Sequence, residues 1–178
     1  DGSGGGIWAA RTDNFHLLNS QIHDNNGSGV VVTYSANPVI QDSIIDDNQG
    51  LGILLISADG SSTDISLNQI PNNQGRGLAI SSVLGGSITN NTISDNSAEA
   101  SGGGGIDISG AINNFLIGNN TILRNTSMQG AGINISGSIA QIVNNTIESN
   151  TTTASSNGGG GLYVDAGKTG SYVLISGN

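Results

Sequence analysis

Few residues in this chain are able to do chemistry, and they are scattered. Its 178 residues hold 13 Asp or Glu, four Lys or Arg and two His, and cysteine is absent. The densest acids are Asp24, Asp42, Asp46 and Asp47, with His16 and His23 close by. Carboxylates stacked on neighbouring turns of chain repel, and a shared Ca²⁺ would relieve this, so Asp24, Asp46 and Asp47 are the candidate metal ligands. No dedicated calcium loop is present, which leaves plain solvation as the simpler reading of these acids. β-Elimination from an acidic sugar needs an Arg or Lys base beside metal-binding acids, and glycoside hydrolysis needs two carboxyls roughly 5 to 9 Å apart. Neither Arg76 nor Arg124 has an obvious acid cluster in the sequence, and His23 beside Asp24 reads as a solvated surface pair. No nucleophile triad or phosphate loop can be drawn, so no catalytic residue and no cofactor-binding residue is assigned.

Composition excludes several functions. A net charge of −9 with only Arg11, Arg76, Arg124 and Lys168 as cations argues against nucleic acid, whose phosphates need clustered positive charge, and against anionic membranes. No apolar run reaches the ~18 residues of a spanning helix, so membrane insertion is not expected. Aromatics make up 3% of the chain while apolar residues reach 35%, so the core must be built from small aliphatics. A neutral polar composition rich in Asn, Ser, Thr and Gly leans towards an extracellular or cell-surface location.

The elements that would position any site follow from one internal repeat, [LI]-x4-I-x2-N followed by G-x-G-[VIL]-x-[VILA]. Leu17, Ile40, Ile65, Ile88, Ile117, Ile142 and Ile175 open the copies, and Ile22, Ile45, Ile70, Ile93, Ile122 and Ile147 follow five residues later. Three residues beyond stand Asn25, Asn48, Asn73, Asn96, Asn125 and Asn150. Glycine pairs such as Gly27/Gly29 and Gly50/Gly52 then lead into apolar residues spaced by two, such as Val30 and Val32. Spacing by two is the strand period, and one rung cannot bury its inward isoleucines alone. Parallel stacking turns each apolar column into a ladder, and parallel crossovers are right-handed. The predicted fold is therefore all-β, a right-handed parallel β-helix solenoid of about seven rungs spanning 1–178 as a single domain. The asparagine column should satisfy buried backbone at a corner and tolerate left-handed backbone there, while the glycines allow positive φ and close approach of coils.

The I-x-x-N and G-x-G-I pattern resembles the right-handed parallel β-helix repeat proteins, a pectate-lyase-like architecture, and the passenger repeats of polymorphic outer-membrane autotransporters. The resemblance covers nearly the whole chain. It implies a fold that hosts lyases, hydrolases, tailspikes and adhesins.

Function is to be sought where copies differ. Later copies insert SAEASGG before Gly104, TSMQ before Gly130 and TTTASSNGG before Gly160, all at one corner, and these are expected to project as loops, read either as tolerated surface variation or as a binding edge for glycan or partner. The outward residue between the two inward positions runs Trp8, Val31, Leu54, Ala79, then Asp107, Asn134, Tyr163. With Ile56, the first four form an expected exposed apolar interaction stripe. Of seven N-x-[ST] sequons, Asn125 and Asn150 face inward, whereas Asn134 is expected to be open to a glycan. The chain opens with the closing part of a rung and stops in the opening part of another, so it is expected to be a segment of a longer stack, able to stack end to end into a fibre. The sequence thus implies a structural or adhesive solenoid segment of a secreted or cell-surface protein, its partners further copies of itself or surface glycans. The alternative is a polysaccharide-binding or polysaccharide-degrading β-helix.

Overall fold

In the computed structural model the described residues are 5–57, 62–99, 102–110, 115–137, 140–153, 158–165 and 172–178. The first rung comprises β1 (Ile7–Ala10), β2 (His16–Leu18) and β3 (Gln21–His23); the second β4 (Val30–Thr33), β5 (Val39–Gln41) and β6 (Ile44–Asp46). The third has β7 (Ile53–Ile56), β8 (Thr63–Ser66) and β9 (Gln69–Pro71); the fourth β10 (Leu78–Ser81), β11 (Gly86–Thr89) and β12 (Thr92–Ser94). The fifth has β13 (Ile106–Ser109), β14 (Phe115–Gly118), β15 (Thr121–Leu123) and β16 (Thr126–Ser127); the sixth β17 (Ile133–Ser136), β18 (Ala140–Val143), β19 (Thr146–Glu148) and β20 (Thr151–Thr152). The chain closes with β21 (Leu162–Asp165) and β22 (Val173–Ser176).

Each strand pairs with its counterpart one rung away. Sheet A runs β1-β4-β7-β10-β13-β17-β21, sheet B runs β2-β5-β8-β11-β14-β18-β22, and sheet C runs from β3 to β19. The registered pairs are all parallel, as in Val30↔Ile53, Ile40↔Ile65 and Ile93↔Ile122. The expected ladders follow: Ile53, Leu55, Ile65, Ile70, Leu78 and Ile88 are fully buried in one continuous core. Sheet B adds an inward column that the repeat template lacks, Thr63, Gly86, Phe115, Ala140 and Val173 in register. Phe115, fully buried, fits there because its rung neighbours are Gly86 and Ala140, a large side chain between two small ones.

The asparagine column is a hydrogen-bonded ladder. Each Nδ2 donates to Oδ1 of the next rung, at 2.9 Å from Asn48 to Asn73 and 3.0 Å from Asn73 to Asn96 and from Asn96 to Asn125. The same Nδ2 donates to an isoleucine carbonyl of the preceding rung, as Asn96 does to Ile70 at 2.9 Å, and Oδ1 also accepts the ladder backbone N–H one rung before. A second ladder, not anticipated from the repeat, joins Asn68, Asn91, Asn120, Asn145 and Asn178 between sheets B and C by Nδ2 to Oδ1 bonds of 2.9 to 3.0 Å. In the first two rungs Ser20 and Ser43 hold these positions, and Ser43 Oγ accepts the Ser20 N–H.

Backbone conformation differs from the expectation at the asparagine corner. At this corner the left-handed residues are the ones just before the ladder asparagines, Asp24, Asp47, Asn72, Asp95, Arg124 and Ser149, with φ between 50° and 59°. The inward amide does the bonding while its predecessor makes the bend. The rung glycines serve both expected needs: Gly130 has a positive φ of 54°, while Gly52 does not, and a Cβ there would lie 2.5 Å from the Gly77 carbonyl oxygen and 2.6 Å from Ile70 Cγ2.

Candidate functional site

The candidate site lies on the outer face of sheet A, where the register places Trp8, Val31, Leu54, Ala79, Asp107, Asn134 and Tyr163 in one column. Its surroundings change along the stack. Trp8 is 72% exposed, Val31, Leu54 and Ile56 are half-buried, and Ala79 is 4% exposed. The expected apolar stripe therefore fades before its last member: Ala79 is covered. The corner insertions are not all loops. Ser97 bridges to Thr126, and β16 pairs with β20, so they begin a short fourth sheet.

On the later rungs the outward residues of three successive strands line a cleft of about 380 Å³. Asp107, Asn134 and Tyr163 form one row and Ser109, Ser136 and Asp165 the next, with Arg76, Gly102 and Gln129 at the rim. Asp107 and Asn134 are each only 7% exposed. Asn134 Nδ2 donates to Asp107 Oδ1 at 2.6 Å, and Arg76 Nε stands 3.3 Å from Asp107 Oδ2. Arg76 thus does have an acid partner, one the sequence does not reveal because it lies on the next rung. Asn134, expected to be open to a glycan, is instead buried with its amide nitrogen committed to a carboxylate. A larger cleft of about 530 Å³ lies on the other side of Arg76, between Leu51 and the overhanging Ala98 and Glu99. It is the step between short and long corners; the smaller cleft is the better site because its polar groups come from three registered strands.

A family model described as a right-handed beta helix region matches residues 1–122 and again 55–178, which together span the sequence. The chain belongs to this family. No curated protein and no solved structure matches it.

The other candidate residues lie elsewhere on this right-handed β-helix, at the corner after sheet C. His23 Nδ1 and Asp24 Oδ2 are 2.7 Å apart, and this hydrogen bond, followed by the Asp24 charge, raises the imidazole above its ordinary value. Asp46 is in register with His23, and burial, then the Asp47 charge, pushes its carboxyl up. Among the described residues no group of three or more acid, His or Cys side chains is arranged to hold a metal ion, and no step is derived through one. Asp24 and Asp47 have a backbone role that does not require metal, since both sit in left-handed conformation, where Asp and Asn are tolerated best. Arg124 forms a two-pronged bond to Asp95 one rung away, Nε to Oδ1 at 2.8 Å and Nη2 to Oδ2 at 2.7 Å, which holds the Asp95 carboxyl below its usual value.

Proposed function

We propose that this β-helix is a structural, adhesive segment that works outside the cell and holds a saccharide in the cleft of sheet A. One observation carries the reading: the outward row that is apolar from Trp8 to Ala79 turns polar from Asp107 onward, where it and the row of Ser109, Ser136 and Asp165 line one cleft. A cleft of a few hundred Å³ with a small number of fixed polar groups and an aromatic ring suits a ligand rich in hydroxyls. The rigid ladders supply the structural part, since side chains on registered strands hold their spacing without a bound ligand. A hydrolytic role is less well supported. Asp107, the buried acid of the cleft, has its two oxygens engaged by Asn134 and Arg76.

The test is affinity electrophoresis of the whole chain through gels containing single polysaccharides. Retardation by at least one of them is expected. Replacing residues 97–103 with the short corner of the earlier rungs should abolish it while melting stays within a few degrees, since loop length costs little. Retardation by none, or retardation unchanged by the shorter corner and by Tyr163→Ala, would remove the reading.

A further inference from the structure

We infer that the cleft selects an uncharged saccharide and refuses a uronate, with Tyr163 as its stacking platform; this rests on the saccharide reading above and narrows its ligand. The ground is how the one cation among the described lining residues is spent. Arg76 Nε stands 3.3 Å from Asp107 Oδ2, and Asp107 is 7% exposed, so the positive charge is neutralised at the rim. Gly102 closes over the pair from the inserted corner: a Cβ at Gly102 would come within 2.7 Å of Arg76 Nη2 and 2.9 Å of Asp107 Oδ2. Its φ of +115° is a conformation that side-chain-bearing residues rarely adopt, so glycine is what allows the backbone to sit on the ion pair. The remaining oxygen of Asp107 is taken by Asn134 at 2.6 Å.

A sugar carboxylate entering this cleft would meet a guanidinium already held in place, a second acid at Asp165, and a chain of net charge −9. Recognition of carboxylate by arginine depends on a free two-pronged fork, and an incoming anion without one loses its hydration uncompensated. A neutral ring needs no counter-charge. It needs an apolar face to lie on and hydroxyl or amide groups around its edge. Tyr163, half-buried in the outward row, supplies the first, and the Gly130 backbone packs against its Cβ. Ser109 and Ser136 line the same cleft and supply hydroxyls for the second.

The experiment compares dextran and β-mannan with polygalacturonate in affinity electrophoresis at low salt, using the whole chain. Wild type should be retarded by a neutral polymer and not by polygalacturonate. Asp107→Asn keeps the shape of the side chain, removes the counter-charge and frees Arg76; polygalacturonate binding should strengthen at least five-fold and vanish again in Asp107→Asn/Arg76→Gln. Tyr163→Ala should weaken neutral binding at least ten-fold, with Tyr163→Phe near wild type. The Tyr163 variants are on the outer face and test the inference even if Asp107→Asn fails to fold. Polygalacturonate binding by wild type as tight as neutral binding would overturn the selectivity, as would a folded Asp107→Asn that leaves the ratio unchanged or equal loss in both Tyr163 variants. Failure of every polymer to bind wild type would instead sink the saccharide site itself.

Discussion

Along sheet A, Trp8, Val31 and Leu54 hold the same outward position as Asp107, Asn134 and Tyr163, on strands with the same register and the same isoleucine and valine core behind them. Their environments nevertheless differ, because one corner of the rung is short in the first half and long in the second. Trp8 stands 72% exposed, while Asp107 and Asn134 at 7% are buried and bonded to each other. The scaffold therefore sets where an outward side chain is, and the corner length decides what it can meet. A solenoid can change its surface chemistry halfway along without changing its core, because each rung contacts only its neighbours.

If the core is common to both halves, damage to it should cost the same in each. The largest effects belong to the glycines under the ladder. A Cβ at Gly52 would meet the Gly77 carbonyl oxygen at 2.5 Å and one at Gly132 the Gly161 carbonyl oxygen. Gly52→Ala and Gly132→Ala should each lose about 3 kcal/mol or more, the upper end of overpacking costs, in urea melts. A loss confined to one half would break the comparison.

Next come the amide ladders. Asn73→Ala and Asn91→Ala, one in each ladder, strand a buried Oδ1 acceptor's partners and an isoleucine carbonyl, so each should cost about 1 to 3 kcal/mol. An unchanged melting temperature for both would remove the ladder argument. Equal losses would show that the ladder missed in the sequence matters as much as the one found there.

The smallest effect sharpens the contrast, since the two halves should respond to acid in opposite senses. Asp95 has its carboxyl lowered, first by the hydrogen bond from Arg124, so its contribution to stability is present above the ordinary carboxyl value and lost as pH falls through the lowered one. Asp46 is raised, first by burial and then by Asp47, so its ionisation destabilises the fold and acidification through the raised value relieves it. Near pH 7, Asp95→Asn should melt below wild type and Asp46→Asn above it, with both differences shrinking in acid. Exposure of Arg124 and solvent screening keep the Asp95 effect small. Shifts of the same sign in both variants would contradict this assignment.

Much of the fold was legible because the repeat is a statement about burial. Every I-x-x-N copy places an aliphatic where it must be covered and an amide where backbone must be satisfied. The same rule, applied to the first isoleucine of each copy, would have found the second ladder: Ile65 to Asn68, Ile88 to Asn91, Ile117 to Asn120 and Ile142 to Asn145 all have the same spacing. The Phe115 column was harder to see, because a position filled by Thr63, Gly86, Phe115 and Ala140 has no shared chemistry, only a shared volume. The bend column carries two readings. Asp24 and Asp47 invite a metal in the sequence, yet their residue type also fits the left-handed backbone they occupy.

The sequence by itself determined the strand period, the inward ladders, the corner at which the copies diverge and the outward column, since each depends on local spacing repeated down the chain. Tertiary structure alone decided that Ala79 is covered, that Asn134 is bonded, and that Arg76 and Arg124 each face an acid 31 and 29 residues away in sequence. Those pairings form across rungs whose corners differ in length, so their sequence separation varies while their spatial separation stays near one strand spacing, about 4.8 Å. A constant spacing can be read along a chain, but a contact between two unequal turns is fixed only when the turns are stacked.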